Sequence, residues 1–235
     1  MKTAMNRKIA VRLLVAVAFI TTGCRKELCY NHDEHSPSVK ADVQPEWIQE
    51  WETPYTGGEV QLDWETIWKE QGWPHNYDEF RPEIAEGIRS IVYYEEGNTA
   101  ISNIESKGGI ISMNEGTHSI LFYNNDTEYV IFDGTHNSVT ATASTRTRTR
   151  AGYRAPEPHQ DERTITTPDV LYASFVPEYE AEKSLTPDGL PVTMVPRTYT
   201  YLIRYRFKSG LQYVSQARGA LAGMAEKVYL NDGHT

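Results

Sequence analysis

The chain has 235 residues, 39% hydrophobic and 23% charged, with a formal net charge of −9. That length supports one sizeable β-sandwich or two small domains. The first 23 residues carry Lys2, Arg7, Lys8 and Arg12 and no acid, so removing these four cations from −9 leaves −13 on the remainder. So acidic a surface repels phosphates and argues against nucleic acid as a partner.

Met1 to Arg12 is basic, and LLVAVAFI, Leu13 to Ile20, is an uninterrupted apolar run. A bilayer-spanning helix needs roughly 20 such residues, so the run suits the h-region of a secretory signal instead. Thr21-Thr22-Gly23 follow, then Cys24. Gly immediately before Cys resembles the lipobox of bacterial lipoproteins. The resemblance implies that residues 1–23 are a signal peptide and that the Cys24 sulfur takes a diacylglycerol thioether at the processed N-terminus. The alternatives are an ordinary secreted protein cleaved nearby and an uncleaved anchor. Acyl chains on Cys24 would make the membrane a partner and leave Cys29 unpaired. Cys29, His32 and His35 are metal-ligand types, but their spacing is no standard finger and lacks a distant second pair. No metal and no cofactor is expected.

Residues 24–54 read as a tether: charged, interrupted by Pro37, Pro45 and Pro54, and without periodicity. Within them PEWIQEW is expected as a helical turn with Trp47 and Trp51 on one face.

Residues 55–180 read as a first domain. GEVQLDW sets Val60, Leu62 and Trp64 against Glu59, Gln61 and Asp63, the alternation of a half-buried strand. EGIRSIVYYEEGN is expected as a strand with a turn at Gly97-Asn98, and GGIISM, 108–113, as another. THSILFYNNDTEYVIFDG is expected as a hairpin that turns at Asn124-Asn125-Asp126 and returns from Tyr129 to Phe132. SVTATAS and DVLYASFVPEY add further β runs, on either side of a polar loop bearing Arg146, Arg148, Arg150 and Arg154. Short strands without long helices between them predict an all-β, antiparallel sandwich with Greek-key links.

Residues 185–235 read as a second unit. TYTYLIRYRF puts Tyr199, Tyr201, Ile203, Tyr205 and Phe207 on one face, the clearest period-2 signal in the chain. LQYVSQARGALAGMAEKV has helical spacing, interrupted by Gly219 and Gly223. So few elements cannot bury a sandwich core, and an incomplete sheet exposes its edge. The expectation is therefore a truncated second β (or α+β) unit, with completion by another polypeptide as the alternative.

CRKELCYNHDEH, GEVQLDW, GGIISMNEGTHSILFYNNDTEYVIF, YTYLIRYRF and GLQYVSQARGALAGMAEKVYLNDG together resemble a Bacteroidales family of fimbrillin-associated lipoproteins. These are relatives of type V fimbrial anchor and accessory proteins, often labelled only as a domain of unknown function. The resemblance implies tandem transthyretin-like β-sandwiches, outer-membrane attachment through Cys24, and a role in anchoring or assembling fimbriae, with a fimbrial subunit as partner.

No GxSxG, HExxH, P-loop or GxGxxG stretch is present, so no enzyme is expected. The five tryptophans, Trp47, Trp51, Trp64, Trp68 and Trp73, crowd one region. Trp64 and Trp68 are expected to plug the sandwich. Trp47, Trp51 and Trp73 are the candidates for stacking a sugar ring, which makes a glycan-binding surface lipoprotein the rival function.

Overall fold

The computed structural model describes residues 38–49, 63–147, 165–201, 203–215, 221 and 223–235. The signal peptide, Cys24, Cys29, His32, His35, Trp51, Val60, Leu62 and the run from Arg148 to Arg154 all lie outside the described residues.

Ten strands are described: β1 (Val39–Trp47), β2 (Gly87–Tyr93), β3 (Thr99–Glu105), β4 (Gly109–Met113), β5 (Gly116–Asn124), β6 (Val130–Asp133), β7 (Thr142–Thr145), β8 (Tyr172–Ala181), β9 (Asp188–Pro196) and β10 (Lys227–Tyr229). One short helix, α1 (Trp64–Glu70), sits between β1 and β2. The protein is all-β in class. Seven strands form one hydrogen-bonded series, β3-β2-β5-β8-β9-β1-β4, and three form a small sheet, β10-β7-β6. The sheet is mixed rather than purely antiparallel, because β1 runs parallel to β9 from Ala41↔Asp188 to Trp47↔Met194.

The long series folds back on itself. β8 and β9 pair only at Tyr172↔Pro196 and Ala173↔Val195. Beyond that corner β9-β1-β4 forms an outer layer over a middle layer, β3-β2-β5-β8. Between the layers lies the main core: Val39, Ala41 and Val43 from β1, Ile111 and Met113 from β4, and Leu190, Val192 and Met194 from β9. These pack against Ile88, Val92, Ile120, Phe122 and Tyr172 of the middle layer. The turn from Glu105 to Gly108 links the far ends of the two layers.

The other face of the middle layer is also covered. Ile91, Leu121, Tyr123 and Ala173 pack with Ala141, Ala143, Leu171 and Leu230, under the small sheet. This explains the run Ile120-Leu121-Phe122-Tyr123, all of it buried. A strand covered on both faces needs continuous apolar sequence rather than alternation. Ile120 and Phe122 feed one core, Leu121 and Tyr123 the other. The ladder between β5 and β8 shifts between His118 and Ile120, whose partners are Tyr179 and Val176. Pro177 falls in that irregularity, where a missing N–H is tolerated.

Several expectations change. The stretch read as a tether supplies β1, a strand paired on both sides, and Trp47 ends that strand rather than riding a helical turn. Residues assigned to a second unit supply β9 and β10 to the same fold. Asp63 and Trp64 do not continue a strand. Asp63 caps α1, its carboxylate accepting from Thr66 N at 3.0 Å and Thr66 Oγ at 2.7 Å. Those bonds hold its pKa below the usual carboxylate value. The expected β5–β6 hairpin does not pair. β5 lies between β2 and β8, while β6 crosses to the small sheet beside β7. The helical spacing after Leu211 yields only a 3₁₀ turn, Leu211–Tyr213, among the described residues.

Candidate functional site

Beyond β9 the chain leaves the sandwich. Arg197 N donates to Leu171 O at 2.6 Å and Thr198 Oγ accepts from Leu171 N at 3.1 Å, the last ties to the core before β10. The segment from Tyr199 to Phe207 follows, and its described residues, all but Leu202, join neither sheet. Its composition of Tyr, Thr and Ile favours extended backbone, yet among its described residues no backbone–backbone hydrogen bond is recorded. The predicted aromatic face is in the open. Tyr199, Tyr201, Ile203, Tyr205 and Phe207 are between 45% and 69% exposed. Leu211 and Tyr213 continue the apolar surface past Gly210. A contiguous exposed stripe of this kind marks an interaction surface, and unpaired strand backbone is a template for another strand.

The opposite face is held down. Arg204 Nη1 donates to the Gln71 carbonyl at 2.7 Å, and Arg206 Nη2 reaches the same oxygen at 3.4 Å. Two arginines two positions apart meeting one acceptor fits extended backbone. Gln71 is the C-cap of α1, so the guanidinium groups complement the carbonyl end of the helix. Arg204 Cζ also lies 5.2 Å from the centroid of Trp73.

Trp73 belongs to a small surface cluster that gives α1 its hold. It stacks on Trp68 with centroids 5.1 Å apart and planes 17° apart. Trp68 Nε1 donates to His75 O at 2.8 Å, and Tyr77 and Phe80 flank the Trp68 ring at 6.1 and 6.2 Å.

Of the sugar-stacking candidates, Trp51 lies outside the described residues, and Trp47 and Trp73 are engaged elsewhere. Trp47 packs edge-on against Tyr172 at 4.9 Å and donates from Nε1 to Ser106 O at 2.9 Å, so it serves the core. The Trp73 ring is engaged by Trp68 and Arg204. Trp64 is exposed at the start of α1 rather than plugging the sandwich. Sequence periodicity found the aromatic stripe. It gave no sign that α1, more than a hundred positions earlier, would hold its back face.

The chain matches the DUF5119 family, a domain of unknown function, over residues 59–235. It belongs to that family. This DUF5119 protein is also similar to a Bacteroides ovatus protein named "Putative fimbrium anchoring subunit Fim4B", at 23% identity over 184 residues. That alignment covers 77% of this chain and 49% of the relative, so the chain spans about half the relative's length. Among solved structures, a crystal structure described as "a putative adhesin from Bacteroides ovatus" aligns with 18% identity and a TM-score of 0.47, covering 71% of this chain and 47% of the other.

Proposed function

We propose that this DUF5119 protein is a non-catalytic cell-surface lipoprotein of the outer membrane that serves fimbrial anchoring or assembly. Acyl chains on Cys24 hold one end in the membrane, and the aromatic segment from Tyr199 to Phe207 offers its backbone to an extended strand of a fimbrial subunit. The match to a relative named as a fimbrium anchoring subunit carries this reading. The open stripe supplies a means, since main-chain pairing gives affinity while the alternate aromatic side chains give specificity.

Two measurements test it. Radiolabelled palmitate should enter the wild-type chain and not Cys24→Ser. Fimbrial subunits should be captured by the wild-type chain and lost on Ile203→Lys. A chain that takes no label, or captures no subunit, overturns the corresponding half. A glycan-array signal abolished by Trp73→Ala, with no subunit captured, would replace the fimbrial reading with the glycan one.

A further inference from the structure

In the open segment, Tyr-Thr-Tyr-Leu-Ile-Arg-Tyr-Arg-Phe, the alternate positions Tyr199, Tyr201, Ile203, Tyr205 and Phe207 read nearly alike in both directions about Ile203. Suppose two copies paired antiparallel on a two-fold axis through Ile203. Tyr199 would then lie opposite Phe207, Tyr201 opposite Tyr205, and Ile203 opposite itself. Aromatic and β-branched pairs of this kind are the favourable units of a sheet. On the other face Thr200 meets Arg206 and Leu202 meets Arg204. No cation lies directly opposite another, although the stretch carries two arginines and no acid. Moving the two-fold axis two residues toward the C-terminus centres the pairing on Tyr205. Arg204 then faces Arg206 in both halves, which like-charge repulsion disfavours.

The structure leaves the segment ready for this. Its aromatic face is exposed, its backbone is unpaired among the described residues, and Arg204 and Arg206 fix its back to α1. We infer that the segment from Tyr199 to Phe207 pairs with the same segment of a second copy, forming an antiparallel two-stranded ribbon centred on Ile203. The contact is isologous, so it closes at a dimer. It rests on reading this segment as a docking strand and does not require a fimbrial partner. The strand that would receive a subunit is occupied by the second copy until the subunit displaces it.

A charge exchange at the axis tests the register. Full-length chain in detergent is followed by sedimentation equilibrium. The wild type should be dimeric at tens of micromolar. Ile203→Lys and Ile203→Glu each place like charges face to face and should each weaken association by roughly tenfold or more. An equimolar mixture of the two should dimerise again, which loss of folding in either variant would not allow. In a Cys24→Ser, Cys29→Ser background, Ile203→Cys should oxidise to a covalent dimer and Thr200→Cys should not, because each copy's Thr200 lies opposite Arg206. A wild-type chain still monomeric at about 100 µM, Ile203→Lys dimerising like the wild type, or equal cross-linking at both positions overturns the inference. If the chain stays monomeric yet captures a fimbrial subunit through Ile203, self-pairing fails and the fimbrial reading stands. If it dimerises and captures none, the reverse holds.

Discussion

Asn124 closes the ladder between β5 and β8, and replacing it should cost more than a surface asparagine would. It ends β5 and is 2% exposed. Its Oδ1 accepts from Tyr172 N at 2.7 Å, while Nδ2 donates to Val170 O at 3.0 Å and to Asp126 Oδ1 at 2.7 Å. The backbone pairing of β5 with β8 ends one residue earlier, at Tyr123↔Ala173. The side-chain amide thus stands in for one more peptide group. Asn124→Ala leaves the N–H of Tyr172 buried without an acceptor, about 1–3 kcal/mol, and removes donated bonds each contributing about 1 kcal/mol. A total near 3 kcal/mol is expected. With a urea slope of about 2 kcal/mol per molar, the midpoint should fall by about 1.5 M. Tryptophan fluorescence can follow it, since Trp47 rests on Tyr172. Asn124→Asp keeps the acceptor for Tyr172 N but turns a carboxylate toward Val170 O and Asp126. Its penalty should shrink on acidification, when the introduced carboxyl regains a donor, whereas the Asn124→Ala penalty should not. A loss below about 1 kcal/mol for Asn124→Ala would refute the reasoning.

Gly108 has φ +103°, and a Cβ there would lie 2.0 Å from Val43 O. Gly108→Ala should therefore destabilise by about 2–4 kcal/mol, read as a lowered urea midpoint, because the overlap is with backbone. Asp169 Oδ2 accepts from Glu128 N at 2.8 Å and Tyr129 N at 2.6 Å; Asp169→Ala should speed amide hydrogen exchange at both positions and cost about 1–2 kcal/mol. Burial raises the phenol pKa values of Tyr93, Tyr123, Tyr172 and Tyr179. The folded state thus favours the neutral phenols. That stabilisation is complete below the unfolded value of about 10 and is lost as pH climbs above it. Urea midpoints should drop above about pH 10 together with a rise in tyrosinate absorbance.

The strands that were legible are those whose burial writes a pattern. β2, β4, β5 and the start of β8 carry Ile, Val, Leu, Phe and Tyr in runs that propensity and alternation detect. β1 and β9 were hidden by prolines. Val39-Ala41-Val43 and Leu190-Val192-Met194 alternate cleanly, but Pro45 reads as a tether proline and Pro191 interrupts the second run. Each proline sits where its strand has a neighbour on one side only, since β4 stops pairing at Val43 and β8 meets β9 only at Val195 and Pro196. β3 was missed because its inward residues include Ala100 and Ser102, while Ile101 points outward and is exposed. The β6 error has a different origin. A turn-rich Asn-Asn-Asp stretch between apolar runs signals a hairpin locally, but it cannot reveal that the second run joins another sheet. The aromatic stripe was the strongest alternating signal in the chain and lies in neither sheet. Periodicity reports a two-sided strand and is silent on whether a neighbour is present.

The parallel contact between β1 and β9 decides how tension would cross the molecule. The proposed membrane anchor at Cys24 would pull β1 from its first residue, Val39. A load on the aromatic segment pulls β9 from its last residue, Pro196. Because the strands run the same way, these forces drag them past each other lengthwise, so the ladder from Ala41↔Asp188 to Trp47↔Met194 is loaded in shear. Under the proposed anchoring role its bonds would then yield nearly together instead of peeling one at a time.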